Sequence, residues 1–122
     1  MATTSFDKNG DLAVINVNGY VTVDDIAEAV KIYYPQVSQH LVWNFLDVKL
    51  DENATGQTLK KLPEIAKEYM PNRKKGKTAY VSSDTCLFGM LRLFSVVAEH
   101  SNIQHEQQTF KAYDDALAWI QR

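Results

Sequence analysis

Short β-type and α-type segments alternate along this chain, and the alternation limits the folds open to it. Phe6 and the run Leu12–Val17 flank a polar stretch in which Asn9-Gly10 supplies the positive backbone angles of a tight hairpin. After that pair, helical and strand patterns follow in turn. A strand, a crossover helix and a second strand make a parallel pair. We therefore predict an α/β fold, a mostly parallel sheet of about five strands, begun by an antiparallel hairpin and packed with about four helices.

Local signals place the individual elements. Thr22 and Asp25 form a capping box at the start of the first helix, which Pro35 ends. The run His40–Leu46 is β-branched and aromatic, as expected of a central strand covered on both faces. Pro63 must either kink the second helix or lie in its first turn. The other predicted elements are strands at Lys77–Val81 and Gln104–Phe110 and helices over Leu59–Tyr69, Thr85–Ala98 and Asp114–Ile120.

The apolar segment, Thr85–Ala98, has more hydrophobic surface than a helix with one buried face requires. Ten of its fourteen residues are hydrophobic. In a helix, Phe88 and Val96 fall on the polar stripe, on either side of Arg92. Apolar residues in such positions are usually covered by a ligand, a second subunit or a lipid surface. The broad apolar side comprises Leu87, Met90, Leu91, Phe94, Val97 and Ala98.

Length and composition fit a single domain over residues 1–122. The chain has one cysteine, which forms no internal disulfide and favours a reducing cytoplasm. Its N-terminus lacks the pattern of a secretory signal. The apolar segment carries Arg92 and is shorter than the roughly 20 residues that span a bilayer. We expect a cytoplasmic location and no cofactor.

The charge is unevenly distributed. Residues 60 to 77 carry a local charge of +5, whereas the whole chain carries −2. Such a patch attracts anionic lipid or an acidic partner, but it is also typical of a solvated helix face that runs into a polar turn. Nucleic acid is not expected, because the cluster lacks interleaved aromatic residues. The predicted membrane or partner surface consists of Phe88, Val96, Lys60, Lys61, Arg73, Lys74 and Lys75.

A candidate ligand site lies where a predicted strand meets the apolar segment. Ligands of doubly wound sheets bind at the carboxyl ends of the strands. Either Ser83 or Asp84 caps the following helix, or backbone N–H groups and Arg92 hold a polar or anionic head above an apolar tail. We expect Asn53 to Gly56 to border this space. The predicted ligand-binding residues are Ser82, Ser83, Asp84, Phe88, Met90, Leu91 and Arg92.

Four short segments together resemble a known family. They are Gly19-Tyr20-Val21-Thr22 leading to Asp25, Leu41–Leu46, Lys77–Val81 and Thr109–Ile120. In this order the chain resembles the SpoIIAA-like branch of the STAS superfamily. That group includes anti-sigma-factor antagonists and is often compared with lipid-carrying Sec14/CRAL-TRIO domains. The resemblance implies a binding or regulatory module.

Two positions depart from the family pattern. The antagonists are switched by phosphorylation of the first serine in an Asp-Ser-Ser-Gly or Asp-Ser-Thr-Gly turn. The corresponding stretch here is Asn53-Ala54-Thr55-Gly56, in which Ala54 has no hydroxyl to accept a phosphate. Phosphorylation at this position is therefore not expected. Ala112 stands where relatives tend to place an aspartate cap, so Asp114 and Asp115 favour that helix end electrostatically.

No catalytic or metal-binding pattern is evident. His40, His100 and His105 lack ligand spacing, so no metal site is predicted. Cys86 lies near a helix start, where a thiol is activated, but its apolar neighbours favour a buried, inert side chain.

Two functions remain open. The first is a non-enzymatic binding module that takes up an amphiphilic or lipid-like molecule, or contacts the membrane peripherally, through the apolar segment. The second is a protein-interaction or regulatory module that acts through a homodimer or a partner interface. If Phe94 and Trp119 are buried, each alanine substitution should cost about 3–5 kcal/mol, and Phe88→Ala much less.

Overall fold

The computed structural model describes residues 2–53, 56–59, 61–69, 75–84, 87–89, 91–92 and 106–122. Residues 87–89 and 91–92 of the apolar segment are helical. A 3-10 turn, Tyr34–Gln36, follows the first helix. The remaining elements are β1 Thr3–Asn9, β2 Leu12–Val21, α1 Val23–Tyr33, β3 His40–Leu50, α2 Gly56–Leu59, α3 Leu62–Tyr69, β4 Lys77–Val81, β5 Glu106–Phe110 and the C-terminal helix Tyr113–Ile120.

The five strands form one mixed sheet in the order β1-β2-β3-β4-β5. β1 runs antiparallel to β2, and the other neighbours are parallel. The predicted α/β class and the opening hairpin are therefore confirmed. The turn is displaced by one residue, because Asn9 still belongs to β1 and Gly10, with φ of +62°, begins the turn. Glycine tolerates this left-handed conformation, which strains other residues.

The strand order determines which face each helix covers. From β2 to β5 every crossover moves in the same direction, and right-handed crossovers then place their helices on one face. Residues of α1 and α3 share one core with Leu87 and Leu91, whereas the C-terminal helix packs against the opposite face. Among the described strands the order never reverses. The crevice that a doubly wound sheet forms at its reversal point therefore has no counterpart beside Ser82–Asp84.

β3 is the central strand, as predicted. Trp43 lies in the core between the sheet and helices α1 and α3, Val42 lies in the core beneath the C-terminal helix, and both are almost fully buried. The strand ends at Leu50, however, and not at Leu46. Between the pairs Asn16↔Asn44 and Asn18↔Asp47 it contains one extra residue, a β-bulge. The Asn44 side chain accepts the Leu46 N–H there, at 3.2 Å.

The predicted capping box at α1 is present. The Asp25 N–H donates to Thr22 Oγ1 at 3.1 Å, and the Thr22 N–H donates to Asp25 Oδ2 at 2.9 Å. We expect Thr22→Ala to lower the free energy of unfolding by about 1 kcal/mol, because one helix N–H loses its acceptor. Urea denaturation tests this. Thr22→Ser is the control that keeps the hydroxyl, and a loss as large as that of the alanine variant would contradict the explanation.

The helix predicted over Leu59–Tyr69 is two shorter helices. α2 ends at Leu59, and α3 begins at Leu62, so the start of the second helix at Leu59 is wrong, whereas the alternative that places Pro63 in the first turn is confirmed. Pro63 is the second residue of α3. It therefore lies in the first turn, where its missing N–H removes no intrahelical hydrogen bond.

The C-terminal helix is tied to the sheet by Lys77. Lys77 Nζ donates to the carbonyl oxygens of Trp119 and Arg122, at 2.8 and 3.1 Å, and lies 5.1 Å from the centre of the Trp119 ring. Lys77 belongs to the basic stretch, residues 60–77, and its contacts fix the C-terminal helix against the sheet. Trp119 is half-buried, so the condition attached to the cost of its alanine substitution is met only in part. Ala112 caps the helix without a side-chain hydrogen bond.

Candidate functional site

The described part of the apolar segment contributes to the domain's own core. Leu87 and Leu91 are 3% and 8% exposed. Phe88 is half-buried, and Lys111 Nζ lies 5.4 Å from the centre of its ring. Arg92 is exposed. That a ligand or a second subunit covers Phe88 stays a prediction. The predicted site residues Met90 and Val96, together with Phe94 and Cys86, lie outside the described residues.

A small apolar cavity lies between the sheet on one side and α1, α3 and the apolar segment on the other. Its volume is about 30 Å³, which holds one or two water-sized molecules but no alkyl chain. Of the described residues in the predicted ligand set, only Leu91 lines it. Ser82, Ser83, Asp84, Phe88 and Arg92 are not among the lining residues of this cavity, and the predicted ligand-binding set stays a prediction. The lining residues are Ile26, Val30, Tyr34, Trp43, Phe45, Leu50, Leu62, Ala66, Tyr80, Leu87 and Leu91.

The Ser82–Asp84 turn starts the following helix. Asp84 Oδ1 accepts the Leu87 N–H at 2.9 Å, and the Asp84 carbonyl accepts the Phe88 N–H at 2.8 Å. Asp84 is therefore the cap, and Ser83 is exposed beside it. Ser82 is fully buried, and its Oγ accepts the Asp84 N–H at 3.2 Å. Two of the three side chains are thus engaged in forming the turn.

β2 and β3 project beyond the rest of the sheet at their carboxyl ends. β1 pairs with β2 only as far as Asn18, and β4 pairs with β3 only as far as Asn44. The remaining residues, 19–21 and 45–50, form a two-stranded ribbon. Beyond the ribbon, the Tyr20 hydroxyl donates to Asp51 Oδ1 at 2.6 Å, and the Asp51 N–H donates to the Val21 carbonyl at 2.8 Å. These bonds hold the tip in one arrangement.

The surface of this tip is acidic and carries an aromatic ring. Tyr20 is 43% exposed, one of two large hydrophobic side chains with high exposure in the described part of the chain. Glu52 and Asp47 are exposed beside it, with Lys49 as the neighbouring cation. We name the set Tyr20, Asp51 and Glu52 the acidic tip. Sequence reasoning used Tyr20 only for the family resemblance and missed its contact with Asp51.

The basic stretch faces solvent in part. Lys61 and Lys75 are exposed, and Lys61 Nζ lies 3.6 Å from Asp24 Oδ1 in an ion pair at the surface. Such exposed pairs contribute little to stability. The other residues of the predicted membrane or partner surface in this stretch, Lys60, Arg73 and Lys74, lie outside the described residues. Residues 54 and 55 do so too, whereas Asn53 is exposed and its carbonyl accepts the Thr58 hydroxyl at 3.4 Å.

The contact with Asp51 changes the acidity of Tyr20. The hydrogen bond to Asp51, helped by desolvation and by the Asp51 charge, raises the pKa of Tyr20 above its ordinary value. We expect the Tyr20 phenol to ionise at higher pH than a free tyrosine, and Asp51→Asn to lower its pKa. An NMR titration of the Tyr20 ring measures this. Identical titration curves in the two proteins would contradict the described contact.

The described ranges offer no candidate metal cluster. No group of three histidine, cysteine or acidic side chains there is placed to hold a metal ion. His40 Nδ1 accepts the Lys77 N–H at 3.1 Å, which gives this histidine a structural role. His100 and His105 are outside the described residues. No helix within the described residues is long and apolar enough to cross a membrane.

Solved structures share this fold over the whole chain. An anti-sigma factor antagonist from Mycobacterium paratuberculosis superposes with a TM-score of 0.67 at 15% identity, covering 100% of this chain and 96% of its own. A DUF3478-family protein with a SpoIIAA-like fold, from Shewanella loihica, gives 0.55 at 15% identity, with coverages of 98% and 93%. The anti-sigma factor antagonist SpoIIAA in its unphosphorylated form gives 0.54 at 10% identity, with coverages of 98% and 98%.

These likenesses establish a SpoIIAA-like fold for the chain. No family model matches the sequence, and no curated protein does. The fold predicted from four short sequence segments is thereby confirmed, since the match extends over nearly the full length of both partners.

Proposed function

We propose that this chain is a non-enzymatic regulatory module that binds a protein partner through the acidic tip. Two of the solved structures with this fold are anti-sigma factor antagonists, and the likeness covers nearly all of both chains. The regulatory hypothesis is thus better supported than lipid binding. We include a cytoplasmic location in the proposal, because the single cysteine forms no internal disulfide.

The observation that carries this proposal is the projecting ribbon. Its tip combines a 43% exposed tyrosine ring with Asp51 and Glu52, and hydrogen bonds fix its arrangement. Tyrosine is enriched in protein interfaces, since it buries a large area at low cost in conformational entropy. An acidic, projecting surface fits a basic depression on the partner.

Ala54 bears on how the module is controlled. It stands at the position that the family resemblance assigns to the phosphorylated serine, and it has no hydroxyl. In our proposal the acidic tip therefore stays competent to bind without a phosphate switch at residue 54. Control would then reside in the amount of the protein or in its partner.

The described residues give no support to the hypothesis that the chain binds an amphiphilic ligand. Leu87 and Leu91 already fill the core, and the cavity beside them is too small for an alkyl chain. Phe88 lies outside that cavity, against Lys111.

Co-purification tests the proposed function. The tagged chain is co-expressed with each anti-sigma factor of the host organism in turn, and complexes are isolated at moderate salt. We expect one of these proteins to form a stable complex that survives gel filtration. If no anti-sigma factor binds and anionic vesicles retain the chain instead, the regulatory proposal is wrong. That result would support binding to a lipid surface.

A further inference from the structure

β1 is an open edge of the sheet with few of the features that usually prevent edge pairing. Among the described strands it pairs with β2 alone, through seven consecutive pairs without a register shift. It contains no proline, and every residue except Phe6 is exposed. Natural sheets protect such edges with proline, bulges or charges. The charged residues within β1 are Asp7 and Lys8, which cancel.

The hairpin geometry determines which backbone groups face outward. The pair Asn9↔Leu12 flanks a two-residue turn and is therefore a hydrogen-bonded pair. In an antiparallel ladder such pairs alternate along the strand, so Thr3, Ser5 and Asp7 also direct their N–H and C=O groups toward β2. The groups of Thr4, Phe6 and Lys8 then point away from the sheet.

We propose that β1 pairs with β1 of a second copy of this chain, antiparallel and centred on Phe6. This register gives the longest overlap, because it places Thr3 opposite Asn9 and Thr4 opposite Lys8 of the other copy. The outward groups of Thr4, Phe6 and Lys8 then satisfy one another in about six N–H···O bonds. The result is a continuous sheet that runs through both copies.

The side chains fit this register. Phe6 stacks on Tyr33 of α1, with ring centres 5.1 Å apart and an angle of 5° between the planes. In the pair the two Phe6 side chains meet at the symmetry axis, and a Tyr33 ring flanks each of them. Asp7 lies opposite Ser5, and Lys8 opposite Thr4, so no like charges face each other. The strand is thus complementary to itself, which makes a second copy the occupant.

The pairing leaves the acidic tip free. Residues 19–21 of β2 extend past the end of β1, which pairs only as far as Asn18. Because the symmetry axis is perpendicular to the sheet, the two acidic tips point in opposite directions. A dimer therefore presents two binding surfaces that do not obstruct each other. This inference does not depend on the proposed function.

Sedimentation equilibrium of the purified chain over a concentration series tests the dimer. Proline is tolerated on an edge strand where the N–H faces away from the sheet. We expect Lys8→Pro to weaken dimerisation roughly 10- to 100-fold, because each copy loses an outward donor. Lys8→Ala removes the same side chain but keeps the N–H, and should dimerise like the wild type. Circular dichroism verifies that both variants are folded.

Amide hydrogen exchange of the wild type locates the interface even if Lys8→Pro does not fold. We expect the amides of Thr4, Phe6 and Lys8 to be protected at high protein concentration and to exchange freely on dilution. Those of Ser5 and Asp7 should stay protected at both concentrations. A monomer at every concentration overturns the proposal. So does a dimer in which the three outward amides remain unprotected.

Discussion

Replacing Trp43 with alanine is expected to lower the free energy of unfolding by about 3–5 kcal/mol. Trp43 is 2% exposed, and its Nε1–H donates to the Tyr34 hydroxyl at 2.8 Å. Its ring stacks on Phe45, with centres 5.4 Å apart. The substitution removes buried apolar area and enlarges the neighbouring cavity, which the surrounding strands cannot fill by collapse. Urea denaturation measures the loss.

Two other substitutions separate the causes. Tyr34→Phe keeps the ring but leaves the buried Trp43 N–H without its acceptor, and should cost about 1–3 kcal/mol. Trp119→Ala should cost less than Trp43→Ala, because Trp119 is half-buried on the opposite face. Equal losses for the two tryptophans would show that burial in the core beneath α1 and α3 does not dominate stability.

Reversing the charge of the acidic tip should abolish tight partner binding. We expect Asp51→Lys combined with Glu52→Lys to weaken binding of the proposed anti-sigma partner roughly 100-fold or more. The change removes the Tyr20 acceptor at 2.6 Å and places like charges against a basic surface. Isothermal titration calorimetry with the co-purified partner measures the dissociation constant.

The matched control carries the same change in net charge at the other end of the sheet. Asp11 and Glu106 are exposed acidic residues at the amino ends of β2 and β5. Asp11→Lys combined with Glu106→Lys should change the affinity by no more than about threefold at physiological salt, where distant charges are screened. Equal weakening by both double variants would indicate a general attraction between charges instead of contact at the acidic tip.

Local signals were sufficient to predict most of the fold. The capping box at Thr22, the buried run around Trp43 and the strand at Lys77–Val81 lie within short segments, so their patterns could be recognised directly. The predicted strand stops at Leu46, short of the end of β3, because the charged residues Asp47 and Lys49 interrupt the apolar run. Their alternation with Val48 and Leu50, which contact the core, is a period-two strand signal that could have located it.

The site was harder to predict, because it depends on contacts between distant residues. Tyr20 and Asp51 are separated by 31 positions, and they meet because the β2–β3 register brings the ends of both strands together. The sequence also could not show that Lys111 lies against Phe88, since that contact joins the β4–β5 connection to the turn that follows β5. An apolar pattern alone therefore could not show whether a ligand or the rest of the chain covers the apolar segment.

An NMR titration of the ¹⁵N-labelled chain with the unlabelled anti-sigma factor proposed as its partner tests the proposed interface most directly. We predict that the amide signals of 20–22 and 51–53 shift or broaden first, while those of 87–89 and 113–120 stay in place. Perturbations confined to residues 87–92, with the acidic tip unaffected, would contradict the proposed partner surface.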